Sequence, residues 1–160
     1  METDMMTEHS RNDIRIYEAA QDEKITDTLI RLSKDWEAEN SCYGYRANDR
    51  TDIEGNRIFI AEENGIVIGY LFGKVCEAEN MRSIMPEKTP FFEVEELYVV
   101  PSHRSRGIGK ELFGFAETRV KDTAEYIVLS TAVKNWKAIF HFYLDELGMN
   151  FWSARLYKKL

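Results

Sequence analysis

The strongest structural signal in this chain is the segment Val99-Val-Pro-Ser-His-Arg-Ser-Arg-Gly-Ile-Gly-Lys110. An apolar run ends at Pro101, two arginines follow, and the glycine pair Gly107 and Gly109 opens a helical pattern. Backbone N–H groups in such a loop point together at the positive end of a helix, where they bind phosphate. A glycine pair alone also marks ordinary strand–turn–helix corners, so the flanking residues must carry the argument.

The flanking residues predict a strand before this loop and a helix after it. Residues 91–100 are aromatic and β-branched, with partial alternation of polar and apolar side chains. Arg104 and Arg106 supply fixed charge and forked donors for phosphate oxygens. The predicted helix has one apolar face, formed by Leu112, Phe113, Ala116 and Val120. Arginine and glycine between a strand and a helix are far more restrictive than the glycines alone.

In this context the sequence resembles the GCN5-related N-acetyltransferase (GNAT) superfamily, whose acyl-CoA motif is Arg/Gln-x-x-Gly-x-Gly/Ala. The motif here is Arg104-Ser105-Arg106-Gly107-Ile108-Gly109. Residues 126–133 resemble the family's next strand, with Asn135 at its end. Leu147-Gly148-Met149 stands where the family usually has Leu-Gly-Phe. The strong motifs cover residues 91–150.

The resemblance implies an α/β (α+β) fold, a GNAT-like mixed, mostly antiparallel β-sheet of six to seven strands with helices on both faces. The expected order is β–α–α–β–β–β–α–β–α–β, with residues 151–157 as the last strand. Periodicity predicts a helix over residues 22–39, and Glu63-Asn64-Gly65 predicts a hairpin turn. Residues 1–12 are polar and predict a flexible tail, which leaves residues 13–160 as a single domain.

Composition favours a cytoplasmic protein without metal. The chain has no apolar span of membrane length and begins without an apolar signal-peptide core. Cys42 and Cys76 lie outside any metal-like spacing and are interpreted as reduced thiols. The three histidines are too scattered to suggest a metal site: His9, His103 and His141.

The excess of acid lies in the N-terminal half. Residues 1–90 contain 19 acidic and 11 basic side chains, a balance of −8, whereas residues 91–160 contain 9 and 10, a balance of +1. In the family the N-terminal half contributes much of the acceptor side, so a cationic amine would be steered towards it. Solvated strand ends that keep the protein soluble are the alternative reading. An acidic surface argues against a nucleic-acid partner.

The resemblance also implies acetyl-CoA as cosubstrate and direct acetyl transfer within a ternary complex. Pantetheine would lie between the strand at residues 91–100 and the strand at 126–133, paired with backbone groups of Leu97, Tyr98 and Val99. Pyrophosphate would sit on the N–H groups of Arg104, Ser105, Arg106, Gly107, Ile108, Gly109 and Lys110. Asn135 is a candidate contact for the pantetheine arm, with a simple helix cap as the alternative.

An alkylamine has a pKa of about 10.4 and must lose a proton before it attacks the thioester. Glu95 and Glu96 are the candidate general bases, because they lie on the strand beside the thioester. Side chains alternate along a strand, so one of the two carboxylates points to each face of the sheet. A β-bulge would change which face each one points to, so either glutamate remains a candidate base.

Tyr143 is the candidate acid that protonates the leaving thiolate. Its distance from Asn135 is eight residues, one more than is usual in the family, and Phe142 occupies the usual position. An extra residue rotates a helical side chain by about 100° unless a bulge absorbs it. A packed aromatic role for Tyr143 is the alternative.

The predicted function is N-acetyl transfer to a small-molecule or peptide amine, with a homodimer as an allowed assembly and no membrane partner. Two alternatives come from other classes. A non-catalytic acyl-CoA sensor would bind CoA without turnover, and an interaction module would use residues 104–110 for another phosphorylated ligand.

Overall fold

The computed structural model describes residues 14–160, so the tail predicted at residues 1–12 lies outside the described part. The strands are β1 (Ile14–Ala19), β2 (Arg57–Glu63), β3 (Ile66–Glu77), β4 (Pro90–Val99) and β5 (Tyr126–Leu129). The helices are α1 (Glu23–Glu39), α2 (Arg50–Ile53), α3 (Ile108–Val120) and α4 (Trp136–Phe140). A π-helical turn, His141–Glu146, continues α4.

The strands form one sheet in the order β1-β2-β3-β4-β5. The first four strands are antiparallel, whereas β5 runs parallel to β4. The predicted hairpin turn between β2 and β3 is confirmed, with Asn64 at φ 51° and Gly65 at φ 79°. Two successive residues of positive φ match the twist that a two-residue hairpin requires.

Helices cover both faces of the sheet, as the resemblance implied. Helix α3 packs on one face through its apolar stripe, and the buried residues of that stripe are Ile108, Leu112, Phe113, Ala116 and Val120. Helices α1 and α2 cover the other face, where Leu29, Leu32 and Ile53 meet Tyr70, Phe72 and Tyr98. The sheet is therefore the middle layer, and β4 contributes side chains to both cores.

Helix α1 ends at the predicted residue and begins one residue later than predicted, at Glu23. The Asp22 side chain accepts a hydrogen bond from the Ile25 N–H at 2.8 Å, which caps the first turn. The helix ends at Asn40, which adopts the left-handed conformation at φ 51°. Glu39 is the last helical residue, and its carboxylate accepts a hydrogen bond from Tyr98 of β4 at 2.9 Å.

The predicted strand count is wrong: the described residues form five strands, not six to seven. Residues 151–157 do not form the predicted last strand and have exposed side chains. The alternation of polar and apolar residues in this segment favours a strand only where the segment can pair with the edge of a sheet. Here its aromatic side chains contact rings outside the sheet instead. Phe151 lies 6.0 Å from Phe140, and Tyr157 lies 5.9 Å from Tyr43, between ring centroids.

Candidate active site

A cleft opens between β4 and β5 because their pairing stops half-way along β4. The two strands are in register from Phe91, opposite Tyr126, to Val94, opposite Leu129. Beyond that point β4 continues to Val99, whereas β5 ends. The edge of β4 is therefore open from Glu95 onward, and an extended ligand can add to it as a strand would.

A β-bulge lies where the cleft begins. Val94 is opposite Gly73 on β3, but Glu96 is opposite Phe72, so Glu95 is an extra residue on β4. A Cβ at position 73 would collide with the carbonyl oxygen of Glu93, which explains the glycine there. The bulge bends β4 and reverses the faces to which its later side chains point.

Alternation along β4 decides which of its backbone groups face the cleft. The Val100 N–H donates to the Ile68 carbonyl at 2.9 Å. Because alternate residues of a strand direct their backbone groups to the same side, the even-numbered residues after the bulge pair with β3. Tyr98 therefore directs its backbone groups towards β3. Leu97 and Val99 direct theirs into the cleft.

The start of α3 leaves backbone donors pointing outward at the end of the cleft. Gly107 precedes the helix at φ 81° without a side-chain cap. The Glu111 N–H donates to the Gly107 carbonyl at 3.0 Å, so the N–H groups of Ile108, Gly109 and Lys110 precede the first helical bond. The Ile108 side chain is buried in the core, and this residue offers the cleft only its backbone.

The basic side chains of the loop are already engaged with acids in different ways. Arg104 donates to Glu39 through Nη2 at 2.8 Å and to the Val99 carbonyl through Nε at 2.8 Å. Arg106 Nη2 lies 3.6 Å from a Glu63 oxygen and keeps an exposed guanidinium. Lys110 is exposed. The side chains of Arg104 and Arg106 are similarly exposed, so it is the longer ion-pair distance of Arg106 that makes it, with Lys110, the more available cation beside the α3 N-terminus.

Glu96 lies half-buried on the α1 face at the centre of a polar cluster. Its carboxylate accepts from the Tyr70 hydroxyl at 2.7 Å, the Asn48 amide at 2.9 Å and the Tyr45 hydroxyl at 3.1 Å. Burial raises the pKa of Glu96, while these three hydrogen bonds act in the opposite direction. Burial also raises the pKa of Tyr70 and of Tyr45, so that both phenols remain donors.

Glu95 differs from its neighbour, because it is exposed at the bulge. Its carboxylate lies 4.0 Å from Lys74 Nζ. A third carboxylate on the strand, Glu93, is half-buried and lies opposite Val128 at the closed end of the cleft. The Cys76 thiol points to it, with 3.8 Å between Sγ and Oε2.

The extra residue before Tyr143 is taken up by the π-helical turn. The Leu147 N–H donates to the Phe142 carbonyl, five residues earlier, at 3.0 Å. Phe142 packs against the start of α3, where a Cβ on Gly109 would lie 3.3 Å from its ring. Tyr143 is half-buried, and burial, with a smaller effect from Cys42, raises its pKa to about 12.

Asn135 caps α4. Its side-chain oxygen accepts from the Ala138 N–H at 3.4 Å. The segment before it pairs with the loop after α1, since Cys42 forms a β-bridge with Val133. This bridge holds the α1–α2 loop over the same end of the sheet as the cleft.

Comparison with known proteins decides the family. The sequence model of the Acetyltransferase (GNAT) family matches residues 15–149. This chain belongs to the GNAT family. A curated relative, an uncharacterized N-acetyltransferase of Lactobacillus delbrueckii subsp. lactis, is 28% identical over 101 residues, which are 63% of this chain. That match spans 51% of the relative, or about half of its length.

Solved structures share the GNAT fold at low sequence identity. An aminoglycoside acetyltransferase from an uncultured soil metagenomic sample has a TM-score of 0.67 at 18% identity, covering 94% of this chain and 98% of the other. The acetyltransferase AAC(6')-Iy, in complex with a bisubstrate analog that contains CoA, has a TM-score of 0.66 at 18% identity. That alignment covers 92% of this GNAT chain and 99% of the other.

Three residues that donate hydrogen bonds to Glu96 were not predicted from the sequence: Tyr45, Asn48 and Tyr70. They come from the α1–α2 loop and from β3, and meet Glu96 only in the folded chain. The aromatic pair at residues 43 and 45, in an otherwise polar segment, was the one available signal. Within residues 14–160 no helix is long and apolar enough to cross a membrane. The same residues contain no cluster of three His, Cys, Asp or Glu side chains arranged for a metal ion.

Proposed function

We propose that this GNAT chain transfers an acetyl group from acetyl-CoA to a primary amine, directly and within a ternary complex. The observation that carries the proposal is the cleft that opens at Glu95 and leads to the uncapped start of α3. A strand-like pantetheine arm and a pyrophosphate need these two features in this order. CoA is also bound by AAC(6')-Iy, which shares the fold.

In this proposal the cofactor is bound mainly by backbone groups. Pantetheine pairs with the cleft-facing groups of Leu97 and with the Val99 N–H, because Arg104 already occupies the Val99 carbonyl and the Tyr98 backbone faces β3. Pyrophosphate accepts hydrogen bonds from the N–H groups between Arg104 and Lys110. A backbone N–H of β4 near the bulge also stabilises the oxyanion of the tetrahedral intermediate, an effect worth about 3 kcal/mol in other acyl-transfer sites.

We assign the general base to Glu96 rather than Glu95. Burial raises its pKa towards the range in which a base works, and three donors hold its carboxylate in one orientation. Glu95 is exposed and lies near Lys74 instead. Glu96 would take the ammonium proton through a water molecule, because all three donors already contact its oxygens.

Tyr143 serves as the acid in this mechanism. A phenol whose pKa is raised to about 12 stays protonated at neutral pH, and it can donate to a thiolate as the C–S bond breaks. The ammonium first loses one proton through Glu96, and the amine nitrogen then forms the new C–N bond. The C–S bond breaks as Tyr143 gives its proton to the thiolate, and the second nitrogen proton restores the Tyr143 phenol, so that CoA departs as the thiol.

The acceptor we propose is a small cationic amine, with a peptide amine as the second candidate. The acidic balance of residues 1–90 supports a cation. The related structure of AAC(6')-Iy holds an acetylneamine group joined to CoA, which is a property of that enzyme. We also propose a homodimer, because the C-terminal segment exposes large apolar side chains at Phe151, Trp152 and Leu156.

The test is CoA thiol release from acetyl-CoA, with mass spectrometry of products, across polyamines, aminoglycosides, amino acids and N-terminal peptides. Glu93→Gln, Glu95→Gln, Glu96→Gln and Tyr143→Phe run beside the parent. Turnover on one acceptor class, lost by at least 100-fold in Glu96→Gln alone among the three glutamine variants, supports the assignment. Tight acetyl-CoA binding without turnover would favour the sensor, and no binding would overturn the acetyltransferase proposal.

A further inference from the structure

The last residue of α1, Glu39, contacts β4 at Tyr98 and the proposed pyrophosphate loop at Arg104. Its carboxylate accepts from the Tyr98 hydroxyl at 2.9 Å and from Arg104 Nη2 at 2.8 and 3.0 Å. Its side chain is 20% exposed, compared with 43% for Arg104. A charge-assisted contact with two donors restricts both partners more than a single exposed ion pair does.

Arg104 extends the contact from α1 to the end of β4. Its Nε donates to the Val99 carbonyl at 2.8 Å, and its guanidinium carbon lies 5.4 Å from the centre of the Tyr98 ring. The Val99 carbonyl belongs to the cleft edge of β4, so Arg104 occupies an acceptor that an incoming strand would otherwise meet. The guanidinium cannot bind Glu39 and Val99 in this geometry and also turn fully to a phosphate.

These contacts give the two arginines of the motif different functions: one shapes the edge of the cleft, and the other offers its charge to the pyrophosphate. Arg104 is held by hydrogen bonds to Glu39 and Val99 and shapes the edge of the cleft, whereas Arg106 makes a longer contact of 3.6 Å with Glu63 and Lys110 is exposed beside the start of α3. Preorganised groups bind a ligand more tightly because less ordering remains for the moment of binding. Removal of the acid that fixes Arg104 should therefore weaken cofactor binding without any direct contact to the cofactor.

We propose that Glu39 is a positioning residue of the acetyl-CoA site: it holds Arg104 on the Val99 carbonyl and so sets the edge of β4 that pantetheine joins. The inference rests on the proposed cofactor site and adds to it a residue from the acceptor-side helix. Glu39 acts through Arg104, and it neither takes part in proton transfer nor touches the reacting atoms.

The experiment measures acetyl-CoA affinity by isothermal titration calorimetry for the parent and for Glu39→Gln. Glutamine keeps the size of the side chain but loses its charge, so Arg104 is released. We expect the dissociation constant to rise roughly tenfold, the loss typical of a hydrogen bond to a charged group. The acetyl-CoA KM should rise to the same extent, while kcat and the acceptor KM stay within about twofold of the parent.

The matched control is Glu37→Gln, which removes the same charge from the same end of α1 at an exposed position. Its affinity should equal that of the parent. A double-mutant cycle then tests the route: Glu39→Gln combined with Arg104→Gln should bind no more weakly than Arg104→Gln alone. Arg104→Lys should also bind acetyl-CoA weakly, since lysine keeps the charge but cannot contact the Glu39 carboxylate and the Val99 carbonyl at the same time.

Three results would overturn the inference while leaving the acetyltransferase proposal intact. The first is an acetyl-CoA affinity of Glu39→Gln that equals or exceeds that of the parent. The second is an equal loss of affinity in Glu37→Gln. The third is a double variant whose loss equals the sum of the losses in Glu39→Gln and Arg104→Gln. Binding is measured well below each melting temperature, so a purely structural role would lower the melting temperature without moving the dissociation constant. Failure of the parent itself to bind acetyl-CoA would instead refute the proposed function.

Discussion

The Tyr70 hydroxyl donates a 2.7 Å hydrogen bond to the Glu96 carboxylate, across two strands that a β-bulge has brought into this register. Without the bulge Glu96 would point to the α3 face, where the core is apolar. With it, a buried tyrosine of β3 and the proposed base of β4 share the α1 face. The electrostatics of the site therefore depend on one extra residue in β4.

Tyr70→Phe should move the acid limb of the pH–rate profile to higher pH. The Tyr70 hydrogen bond favours the ionised carboxylate, so its loss raises the pKa of Glu96 further and fewer molecules carry the active base at low pH. We also expect a stability loss of about 1–2 kcal/mol by urea unfolding. Tyr17→Phe, which removes a tyrosine hydrogen bond to Glu62, is the control and should leave the pH profile unchanged.

Stability should depend on pH through Glu96 in a direction opposite to that of most carboxylates. The folded pKa of Glu96 is raised above its ordinary value of 4.5, so the folded chain keeps a proton that the unfolded chain has lost. The unfolding free energy should therefore fall as pH rises from 4.5 through the folded pKa of this group. Denaturant curves of the parent minus those of Glu96→Gln isolate this contribution, and a difference that grows with pH would contradict it.

Gly73→Ala should destabilise the fold, because its Cβ would meet the Glu93 carbonyl inside the bulge. We expect a loss of about 1–3 kcal/mol, measured by urea unfolding. Gly114→Ala is the matched control, since nothing lies within 4 Å of a Cβ at that position in α3. That substitution should stabilise the protein by about 0.5–1 kcal/mol. Equal effects of the two changes would refute the role given to Gly73.

Tyr143→Phe should reduce kcat by roughly 100-fold or more if the phenol protonates the leaving thiolate. Because the pKa of Tyr143 is raised to about 12, the parent should show no alkaline loss of kcat from this group below pH 10 to 11. Stopped-flow detection of the released thiol measures both quantities. A packed aromatic role predicts that phenylalanine retains full activity.

Lys110→Gln should weaken acetyl-CoA binding and make it less sensitive to salt. The side chain is exposed in the first turn of α3, beside the proposed pyrophosphate site, so its contribution is screened by added ions. We expect a three- to tenfold loss of affinity at low salt, about 1 kcal/mol. Lys121→Gln, at the opposite end of the same helix, is the control. An equal loss in both variants would indicate a general charge effect instead.

The sequence allowed prediction of those features that short-range chemistry determines. The Asn64-Gly65 turn, the periodic helix α1 and the glycine-opened start of α3 each depend on a few neighbouring residues. The faces of β4 were not predictable, because Glu95 is an extra residue only relative to Gly73 on another strand. For the same reason the donors around Glu96 come from segments 26 to 51 residues away.

The C-terminal segment shows the limit of periodicity. Residues 151–157 alternate as a strand does, yet pairing also requires an edge that the segment reaches. The Tyr43 and Phe140 rings contact it instead. Arg104 shows a second limit, since its type and motif position indicate phosphate binding, whereas its actual partners, Glu39 and Val99, depend on where α1 ends.

The π-helical turn at His141–Glu146 makes the length of this segment adjustable. One residue more than the family's usual spacing is accommodated within a single wide turn, and Leu147 and Met149 still pack against the core beside α3. Gain or loss of a residue here would change the aromatic ring that packs against Gly109 at the start of α3, the place that Phe142 takes now, while the sheet stays as it is. Natural variation can thus alter the proposed leaving-group side of the site separately from the rest of the fold.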